Sequence, residues 1–405
     1  MELFKKRNLF DIFDIKIGGD VKNINHSKEK TEIYKYPVYS NGVTDEGLFF
    51  YSDSYKIEET SITISARGTI GACFYREGKY TSIGRLISLI AKDTNLTNEK
   101  YYYYLLNKTK LIPADGVVKS LTKPMLKEVN LYEPKKEEQD KIVNVLDKQQ
   151  SLIDSYKEKF SLLEEQELYY QDELLSGRIR IKLNSENEKV AIDQGFIVNG
   201  ELVEGKEKEF EEWLSVDFKD KIDFYKSNNK NWSYITNKEL FIKEKKSTIK
   251  VKEVTNTGEY PFFNCSETLS KTHNQYINDG EFLLFSTGGK AAVHYYNGKL
   301  AYSSDVYCVS INNKVLPYYA YLYWNKNTDI IWKYFEGTGL KHLKKNLFEK
   351  EEVFYPENKV EQIFIISLFE TVFKQKKIIE EKIKIEEEKM DYLMDELLSG
   401  RIRVE

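Results

Sequence analysis

The sequence predicts an α+β protein with two globular α/β domains in a pseudo-twofold tandem repeat, separated by two long helices that form an antiparallel coiled coil. Three observations predict this fold. The chain repeats itself at a period near 223 residues, each copy begins with short strand-like runs, and each copy ends with one long amphipathic stretch. A chain of 405 residues is long enough for two domains with separate cores.

The repeat is the strongest of these observations. Residues 172–180 (DELLSGRIR) recur unchanged as residues 395–403, and Glu138-Gln139 recurs as Glu361-Gln362 at the same offset of 223. Shorter matches follow in the same order upstream, so the chain is a tandem duplication. These shorter matches are Tyr36-Pro37 with Tyr260-Pro261, Ser65-x-x-Gly68 with Ser286-x-x-Gly289, Tyr75 and Gly78-Lys79 with Tyr295 and Gly298-Lys299, Tyr101–Leu105 with Tyr318–Leu322, and Lys119-x-Leu121-x-Lys123 with Lys341-x-Leu343-x-Lys345.

The first part of each copy has the pattern of short strands and turns. Apolar runs such as residues 61–65 and 280–285 are separated by glycine and asparagine. The run of tyrosines from Tyr101 to Tyr104 is predicted to lie in the core or against a partner, not to form a platform for stacking bases.

The second part of each copy is predicted to be one long helix. Pro134 and Pro356 lie near the helix starts, acidic residues follow them, and Ser176-Gly177 and Ser399-Gly400 provide the stops. About 40 residues at ~1.5 Å each give a helix of roughly 60 Å. Apolar residues recur at heptad-like spacing: Ile142, Val145, Leu152, Tyr156, Phe160, Leu163, Tyr170 and Leu174, then Ile365, Leu368, Val372, Ile379, Ile383, Met390, Leu393 and Leu397.

A single amphipathic helix of this length needs a partner for its apolar stripe. The simplest arrangement is a coiled coil between the two copies, parallel or antiparallel, of which we predict the antiparallel one. The alternative is that each helix packs only on its own domain. The predicted divisions are a first domain (1–132), a central helix (133–183), an acidic linker with a hairpin-like element (184–212), a second domain (213–353) and a C-terminal helix (354–405).

The distribution of charge points to two basic domains. The net charge is −4, but residues 1–132 and residues 213–353 each carry 20 basic and 16 acidic side chains, a net charge of +4. The linker 184–212 carries −6. No apolar run approaches the ~18 residues of a membrane span, and the N-terminus does not have the pattern of a signal peptide. Three scattered cysteines (Cys73, Cys265 and Cys308) resemble the reduced, buried thiols of a cytoplasmic protein.

The sequence does not contain the common catalytic motifs. None of the seven prolines is adjacent to another, so the [Asn/Asp/Ser]-Pro-Pro-[Tyr/Phe] turn of an amino-group methyltransferase is not present. No P-loop, zinc motif or Gly-x-Ser-x-Gly elbow occurs either. We therefore predict a binding role, with no catalytic residues and no metal ligands.

The order of the motifs resembles the specificity subunit of type I restriction-modification systems. DNA-recognition subunits of some type II systems that cut on both sides of their site share this plan. The residues that carry the resemblance are 62–71 (ITISARGTIG), Tyr75, Gly78-Lys79, 119–123 (KSLTK), Pro134, Glu138-Gln139 and Leu174–Gly177, then in the second copy 285–290 (FSTGGK), 339–343 (GLKHL) and Glu361-Gln362.

The resemblance implies that each globular domain is a target-recognition domain that reads one half of a split, asymmetric site in double-stranded DNA. It implies that the helices fix the spacing between the two halves. The expected partners are two methyltransferase subunits, which bind S-adenosylmethionine and methylate adenine at N6, and two restriction-translocase subunits. No cofactor is expected in this chain itself.

DNA contact needs cations and backbone N–H groups for phosphates, and a few side chains for base edges. The candidates in the first copy are Ser40, Asn41, Arg67, Gly68, Thr69, Lys119, Ser120 and Lys123. The candidates in the second copy are Thr287, Gly288, Gly289, Lys290, Lys341, His342, Lys344 and Lys345.

Simpler interpretations of the same residues are ordinary turns and solvated basic surfaces. Arg178, Arg180, Arg401 and Arg403 could pair with carboxylates of the helices or contact a partner. For the whole chain, the rival hypotheses are an enzyme with unfamiliar motifs and a coiled-coil interaction protein without a role in DNA binding.

Overall fold

The computed structural model of the chain describes residues 5–20, 24–109, 111, 120–227, 231–254, 257–266 and 271–404. The chain forms two compact units. Unit 1 is residues 1–158 with residues 380–405, and unit 2 is residues 159–379. Each unit therefore combines one globular region with part of both long helices. Within the described ranges, no helix has the length and apolar character that crossing a membrane requires.

The first copy contains the elements up to the end of the first long helix. In chain order they are β1 (Lys5–Asn8), α1 (Leu9–Ile12), β2 (Phe13–Ile17), β3 (His26–Ser27), β4 (Tyr36–Tyr39), β5 (Leu48–Ser52), β6 (Ser61–Ile64), β7 (Cys73–Arg76), β8 (Thr81–Ser82), β9 (Ile87–Ala91), α2 (Glu99–Lys108), α3 (Lys123–Leu126), β10 (Asn130–Glu133) and α4 (Lys136–Leu174).

The remaining elements follow α4. They are β11 (Ile179–Leu183), α5 (Ser185–Asp193), β12 (Ile197–Val198), β13 (Glu201–Leu202), α6 (Glu207–Ser215), α7 (Phe218–Lys221), β14 (Ile222–Lys226), β15 (Trp232–Thr236), α8 (Asn237–Leu240), β16 (Phe241–Lys243), β17 (Tyr260–Phe263), β18 (Lys271–His273), β19 (Asn278–Ser286), β20 (Val293–Tyr302), β21 (Val306–Ile311), α9 (Pro317–Lys326), α10 (Thr328–Trp332), β22 (Phe335–Glu336), β23 (His342–Leu343), α11 (Lys345–Phe348), β24 (Glu352–Pro356) and α12 (Lys359–Leu398).

The two globular regions have the same sheet topology. The antiparallel order β2-β9-β6-β7 of unit 1 recurs as β16-β21-β19-β20 in unit 2. The parallel pair β4-β8 recurs as β17-β20, and the antiparallel pair β1-β10 recurs as β15-β24. In unit 2 the ten-residue strand β20 belongs to both arrangements, so the two sheets merge into one of six strands. The predicted tandem α/β repeat is confirmed.

The tyrosine run lies in the core, as predicted, but its match to the second copy is shifted by one residue. Tyr101 and Tyr102 are fully buried, and the Tyr101 hydroxyl donates to the carbonyl oxygen of Tyr132 at 3.2 Å. Its counterpart is Tyr319, whose hydroxyl donates to the carbonyl oxygen of Phe354 at 3.0 Å. The match of Tyr101 to Tyr318 was therefore wrong, because consecutive tyrosines hide a shift of one position.

The long helices α4 and α12, of 39 and 40 residues, run antiparallel within each unit. In unit 1 the Gln149 side-chain amide donates to the Glu386 carboxylate at 2.7 Å, and the Lys382 ammonium lies 5.5 Å from the Tyr156 ring. As the residue number increases along α4, the number of the contacting residue on α12 decreases. The antiparallel pairing is confirmed, and the parallel and own-domain alternatives are wrong.

The predicted apolar stripe needs one change. Ile142, Leu163, Val372, Ile379 and Met390 are buried as predicted, whereas Leu152 is exposed. The next residue of α4, Ile153, is buried in its place. A straight α-helix has 3.6 residues per turn, so a stripe counted in sevens drifts around the helix and moves by one position.

Both long helices end at the predicted glycine stops, but residues 179–183, which the predicted division assigned to the central helix, form strand β11. Gly177 and Gly400 follow the last turns with φ of +69° and +72°, in the left-handed region that stops a helix and that glycine adopts without strain.

The segment 184–212 contains the predicted hairpin but is not an extended linker. Strands β12 and β13 pair across Asn199 and Gly200, whose φ values of +54° and +82° suit a tight two-residue turn. Phe196 and Phe210 are buried in the same core as Phe364 of α12. This acidic segment is thus a folded part of unit 2.

Candidate nucleic-acid interface

One backbone hydrogen bond joins the predicted contact segments in each copy. In unit 1 the amide of Leu121 donates to the carbonyl oxygen of Ala66 at 2.8 Å, and in unit 2 the amide of Leu343 donates to that of Thr287 at 3.0 Å. The glycine-containing loop after the central strand therefore lies beside the basic segment that precedes a short helix. We name these places the first loop cluster (residues 40–41, 66–69, 84–85 and 120–123) and the second loop cluster (residues 243–246, 287–290, 305 and 341–345).

Asn41 holds the first loop cluster together. Its side-chain amide donates to the carbonyl oxygen of Gly84 at 2.6 Å and accepts from the amide of Ala66 at 2.7 Å. The backbone amide of its neighbour Ser40 donates to the carbonyl oxygen of Gly47 at 2.8 Å. Both amide atoms of Asn41 are thus used to position loops. Base contact by Ser40 and Asn41 stays a prediction.

The other candidates of unit 1 form an exposed basic surface. Arg67, Gly68 and Thr69 are exposed, and Gly68 has a φ of +68° that turns the chain tightly there. Lys123 is also exposed, and its ammonium donates to the carbonyl oxygen of Ile15 at 3.3 Å. Ser120 is half-buried beside it. Lys119 lies outside the described residues.

Arg85 is a further cation of the first loop cluster that the sequence analysis missed. It is exposed, has a φ of +68°, and lines a cleft of about 450 Å³ together with Ala66 and Lys123. Gly18 forms part of the cleft wall, where a side chain would place its Cβ 2.8 Å from the amide nitrogen of Ile83. The sequence signal that could have identified Arg85 is the pair Gly84-Arg85, a glycine followed by a cation just after strand β8.

The glycine loop of unit 2 is less exposed than that of unit 1. Thr287 is only 8% exposed, and its hydroxyl donates to the carbonyl oxygen of Asp305 at 2.6 Å. Gly288 is buried and pairs with His342, Gly289 is half-buried, and Lys290 is exposed. Thr287 and Gly288 therefore support the loop in this structure, and their contact with DNA stays a prediction.

The basic segment of unit 2 carries the exposed charge of the second loop cluster. Lys341, His342 and Lys344 are exposed. The Lys341 ammonium lies 4.9 Å from the Trp332 ring, and that of Lys344 lies 3.5 Å from the Glu336 carboxylate. These are surface contacts, which cost little to exchange for phosphate.

Lys345 brings two unpredicted lysines into the second loop cluster. It is half-buried, and its ammonium lies 5.2 Å from the Tyr307 ring. Burial lowers the pKa of Lys345, and the nearby charges of Lys246 and Lys243 lower it further. The run Lys243-Glu244-Lys245-Lys246 in the sequence could have revealed this cluster.

The four arginines that the sequence left unassigned pair with helix carboxylates. Arg180 donates to Glu361, with 2.8 Å between Nε and Oε1, and Arg403 pairs with Glu138 in the same way. Arg178 and Arg401 pair with Glu173 and Glu396 on the helix surfaces. The end of each long helix is thereby fixed to the start of the other.

The structure offers no metal site among its described residues, where no group of three or more His, Cys, Asp or Glu side chains comes together. Burial raises the pKa of the Cys73 and Cys308 thiols to about 12, so both are protonated at neutral pH. Cys265 is half-buried, which differs from the prediction of three buried thiols.

The fold and the two loop clusters define a tandem-repeat protein that presents one basic surface on each repeat. The family model for the type I restriction modification DNA specificity domain matches residues 1–165 and 229–388, and the chain belongs to this family.

Two curated relatives from Mycoplasma pneumoniae support the assignment. The putative type I specificity subunit S.MpnORF89P is 34% identical over 164 residues, which cover 40% of this chain and 48% of that protein. The putative type I specificity subunit S.MpnORF507P is 35% identical over 178 residues, or 43% and 47%. This chain thus spans about half the length of the curated relatives that it matches.

Among solved structures, the S subunit of the type I restriction-modification system from M. genitalium has the same fold. The match has a TM-score of 0.62 at 15% sequence identity and covers 97% of this chain and 96% of that one.

Proposed function

We propose that this chain is the DNA-reading subunit of a type I restriction-modification complex, and that each repeat reads one half of a split, asymmetric site. The observation that carries the proposal is the shared hydrogen bond of Leu121 and Leu343, which presents a basic loop cluster at the same place in both repeats. The side chains around that bond differ between the repeats. Equal scaffolds with unlike surfaces are what two different half-sites require.

The exposed side chains of the loop clusters divide into two roles. Arg67, Arg85 and Lys123 in unit 1, with Lys341 and Lys344 in unit 2, would hold phosphates and give salt-dependent affinity. Exposed polar groups near them would contact base edges, where one good bidentate pair contributes ~1–3 kcal/mol of discrimination. Two half-sites on one chain then act together, because binding at the second becomes intramolecular.

We further propose that two methyltransferase subunits dock on the long helices. Leu162 and Tyr169 of α4 are 58% and 53% exposed, one heptad apart and on one face. Their counterparts at the repeat offset of 223, Ile385 and Tyr392 of α12, are 59% and 56% exposed. Each unit thus carries the same apolar pair, which fits two copies of one partner.

The chemistry would then belong to the partners. The methyltransferase subunits would bind S-adenosylmethionine and methylate adenine at N6, two restriction-translocase subunits would join for cleavage, and the complex would act in the cytoplasm. This chain would supply only the recognition of the DNA sequence.

The proposal is tested by assembling the chain with its neighbouring methyltransferase. We expect native mass spectrometry to show two methyltransferase subunits per chain, and the complex to shift duplex DNA in electrophoresis with an affinity that falls steeply with salt. The variant Leu162→Ser/Tyr169→Ser should retain one methyltransferase, and the matched variant Leu168→Ser, at a 62% exposed position outside the pair, should retain two. A complex that does not shift DNA would contradict the proposal.

A further inference from the structure

Unit 2 contains a cleft that the proposed function does not use. It has a volume of about 290 Å³ and lies between α6, strands β19 and β20, the start of α9 and the first half of α12. Three exposed carboxylates, those of Glu211, Glu281 and Glu370, line it together with the half-buried rings of Tyr295 and Tyr318. The two rings lie 4.8 Å apart at an interplanar angle of 74°.

The equivalent place in unit 1 holds an ammonium group. The Lys100 ammonium lies 2.8 Å from the Asp147 carboxylate and 5.6 Å from the centre of the Tyr75 ring. Burial raises the pKa of Tyr75, and the nearby carboxylates of Glu77 and Glu99 raise it further. In the first repeat the Lys100 ammonium thus lies beside one carboxylate and one tyrosine ring.

The two places correspond at the lysine, at two tyrosines and at one carboxylate. The amide of Asn98 donates to the Gln139 side chain at 2.8 Å, and the amide of Leu316 donates to the Gln362 side chain at 2.7 Å. Counting on from these anchors, Lys100 corresponds to Tyr318. The ring pair Tyr75 and Tyr103, 6.3 Å apart, corresponds to Tyr295 and Tyr321, 6.1 Å apart. Asp147 corresponds to Glu370 at the repeat offset of 223.

The second repeat therefore keeps the tyrosine and one carboxylate, has a tyrosine where the first has its lysine, and adds the carboxylates of Glu211 and Glu281. In the part of the chain that the structure describes, Glu211, Glu281 and Glu370 form no ion pair with a lysine or arginine. Lys374 also lines the cleft, and the charge of Lys208 lowers the pKa of Glu211. Burial, then Glu370 and Glu281, still raise the pKa of Glu211, so negative charge is in excess.

The lining indicates the chemistry of a ligand. Aromatic faces beside carboxylates suit an organic cation, which gains from the rings and from the charges together. A divalent metal would instead need several converging oxygen ligands, and the described residues contain no such group.

We propose that this cleft binds one primary alkylammonium group, which takes the place that the Lys100 side chain occupies in the first repeat. The group comes either from a free diamine or from a lysine of the methyltransferase partner. The site is additional to the proposed DNA-reading function, and its test needs no DNA.

The first arm of the test is isothermal titration of the full-length chain with 1,4-diaminobutane. We expect one diamine per chain and at least a tenfold loss of affinity in Tyr318→Lys, because the new side chain fills the cleft with its own ammonium. Tyr234→Lys, at an exposed position of the same unit, adds the same charge elsewhere and should bind like the wild type. Glu370→Gln keeps the shape of the cleft and should also bind the diamine at least tenfold more weakly. This second variant tests the cleft even if Tyr318→Lys does not fold.

The second arm measures the affinity of the same variants for the methyltransferase subunit. If a partner lysine is the source, Tyr318→Lys and Glu370→Gln should each bind the subunit at least tenfold more weakly than Tyr234→Lys, and the diamine should not bind. If both arms give equal affinities for Tyr318→Lys, Glu370→Gln and the wild type, the proposal is wrong.

Discussion

Arg85 in the first repeat and Asp305 in the second occupy equivalent positions, just before the strand that pairs with the central strand of each sheet. The loops that they flank are joined by the same backbone hydrogen bond. The scaffold has thus been kept through the duplication while the charge beside the loop has been reversed. The comparison teaches that the exposed charge beside the loops has diverged between the repeats, whereas the contacts that hold the loops in place have not.

The kept contacts centre on one glutamine in each repeat. The fully buried side chain of Gln139 accepts from the amide of Asn98 and donates to the carbonyl oxygens of Leu96 and Pro134. Gln362 is equally buried and makes the same three contacts in its own repeat. Each glutamine thereby fixes the start of a long helix to the loop before the tyrosine-containing helix.

The largest expected effect tests whether Gln139 and Gln362 have the same role in the two repeats. Gln139→Leu and Gln362→Leu should each lower the free energy of unfolding by about 3 kcal/mol or more, because each leaves buried backbone groups without partners at a cost of ~1–3 kcal/mol per group. Gln150→Leu, a half-buried position on α4, should change it little.

Urea denaturation with two probes measures where each loss occurs. All four tryptophans lie between residues 213 and 332, in unit 2, so their fluorescence follows Gln362→Leu, whereas circular dichroism follows both variants. A glutamine whose loss matters in only one repeat would contradict the equivalence of the scaffolds.

A smaller effect sharpens the contrast between the surfaces. Arg85→Ala should weaken binding of the assembled complex to DNA about tenfold at moderate salt and reduce the slope of log affinity against log salt by about one, as the loss of one phosphate contact does. Asp305→Ala should strengthen binding about twofold, because a repelling charge is removed. The matched control is Asp329→Ala, an exposed carboxylate on α10 outside the second loop cluster, which should leave binding unchanged. The two changes must therefore have opposite signs in a fluorescence anisotropy titration.

Much of this architecture could be predicted because the duplication supplies two different sequences for the same fold. The helix bounds followed from Pro134, Pro356 and the terminal glycines, whereas the contact between the glycine loop and the basic segment became visible only in the structure. A run of identical residues is less informative. Only the hydrogen bond between the Asn98 amide and Gln139 fixes which tyrosine of the first repeat corresponds to which tyrosine of the second.

Other features depend on tertiary contacts that local sequence does not reveal. Phe196 and Phe210 stand among acidic residues, so the segment 184–212 looked like a linker although both are core residues. The roles of Arg85, Lys243 and Lys246 depend on which loops the sheet brings together, which the loop sequences alone do not specify.

The central claim is that each repeat reads its own half of one split site. Its most direct test is single-molecule methylome sequencing of a host that carries the chain with its neighbouring methyltransferase, as the wild type and as Thr69→Ala/Ser120→Ala, which removes two polar candidates for base contact from the first loop cluster. The account predicts N6-methyladenine in a two-part motif with several unspecified base pairs between the parts, and relaxed sequence preference in only one part for the variant. A continuous palindromic motif, or a variant that alters both parts equally, would contradict it.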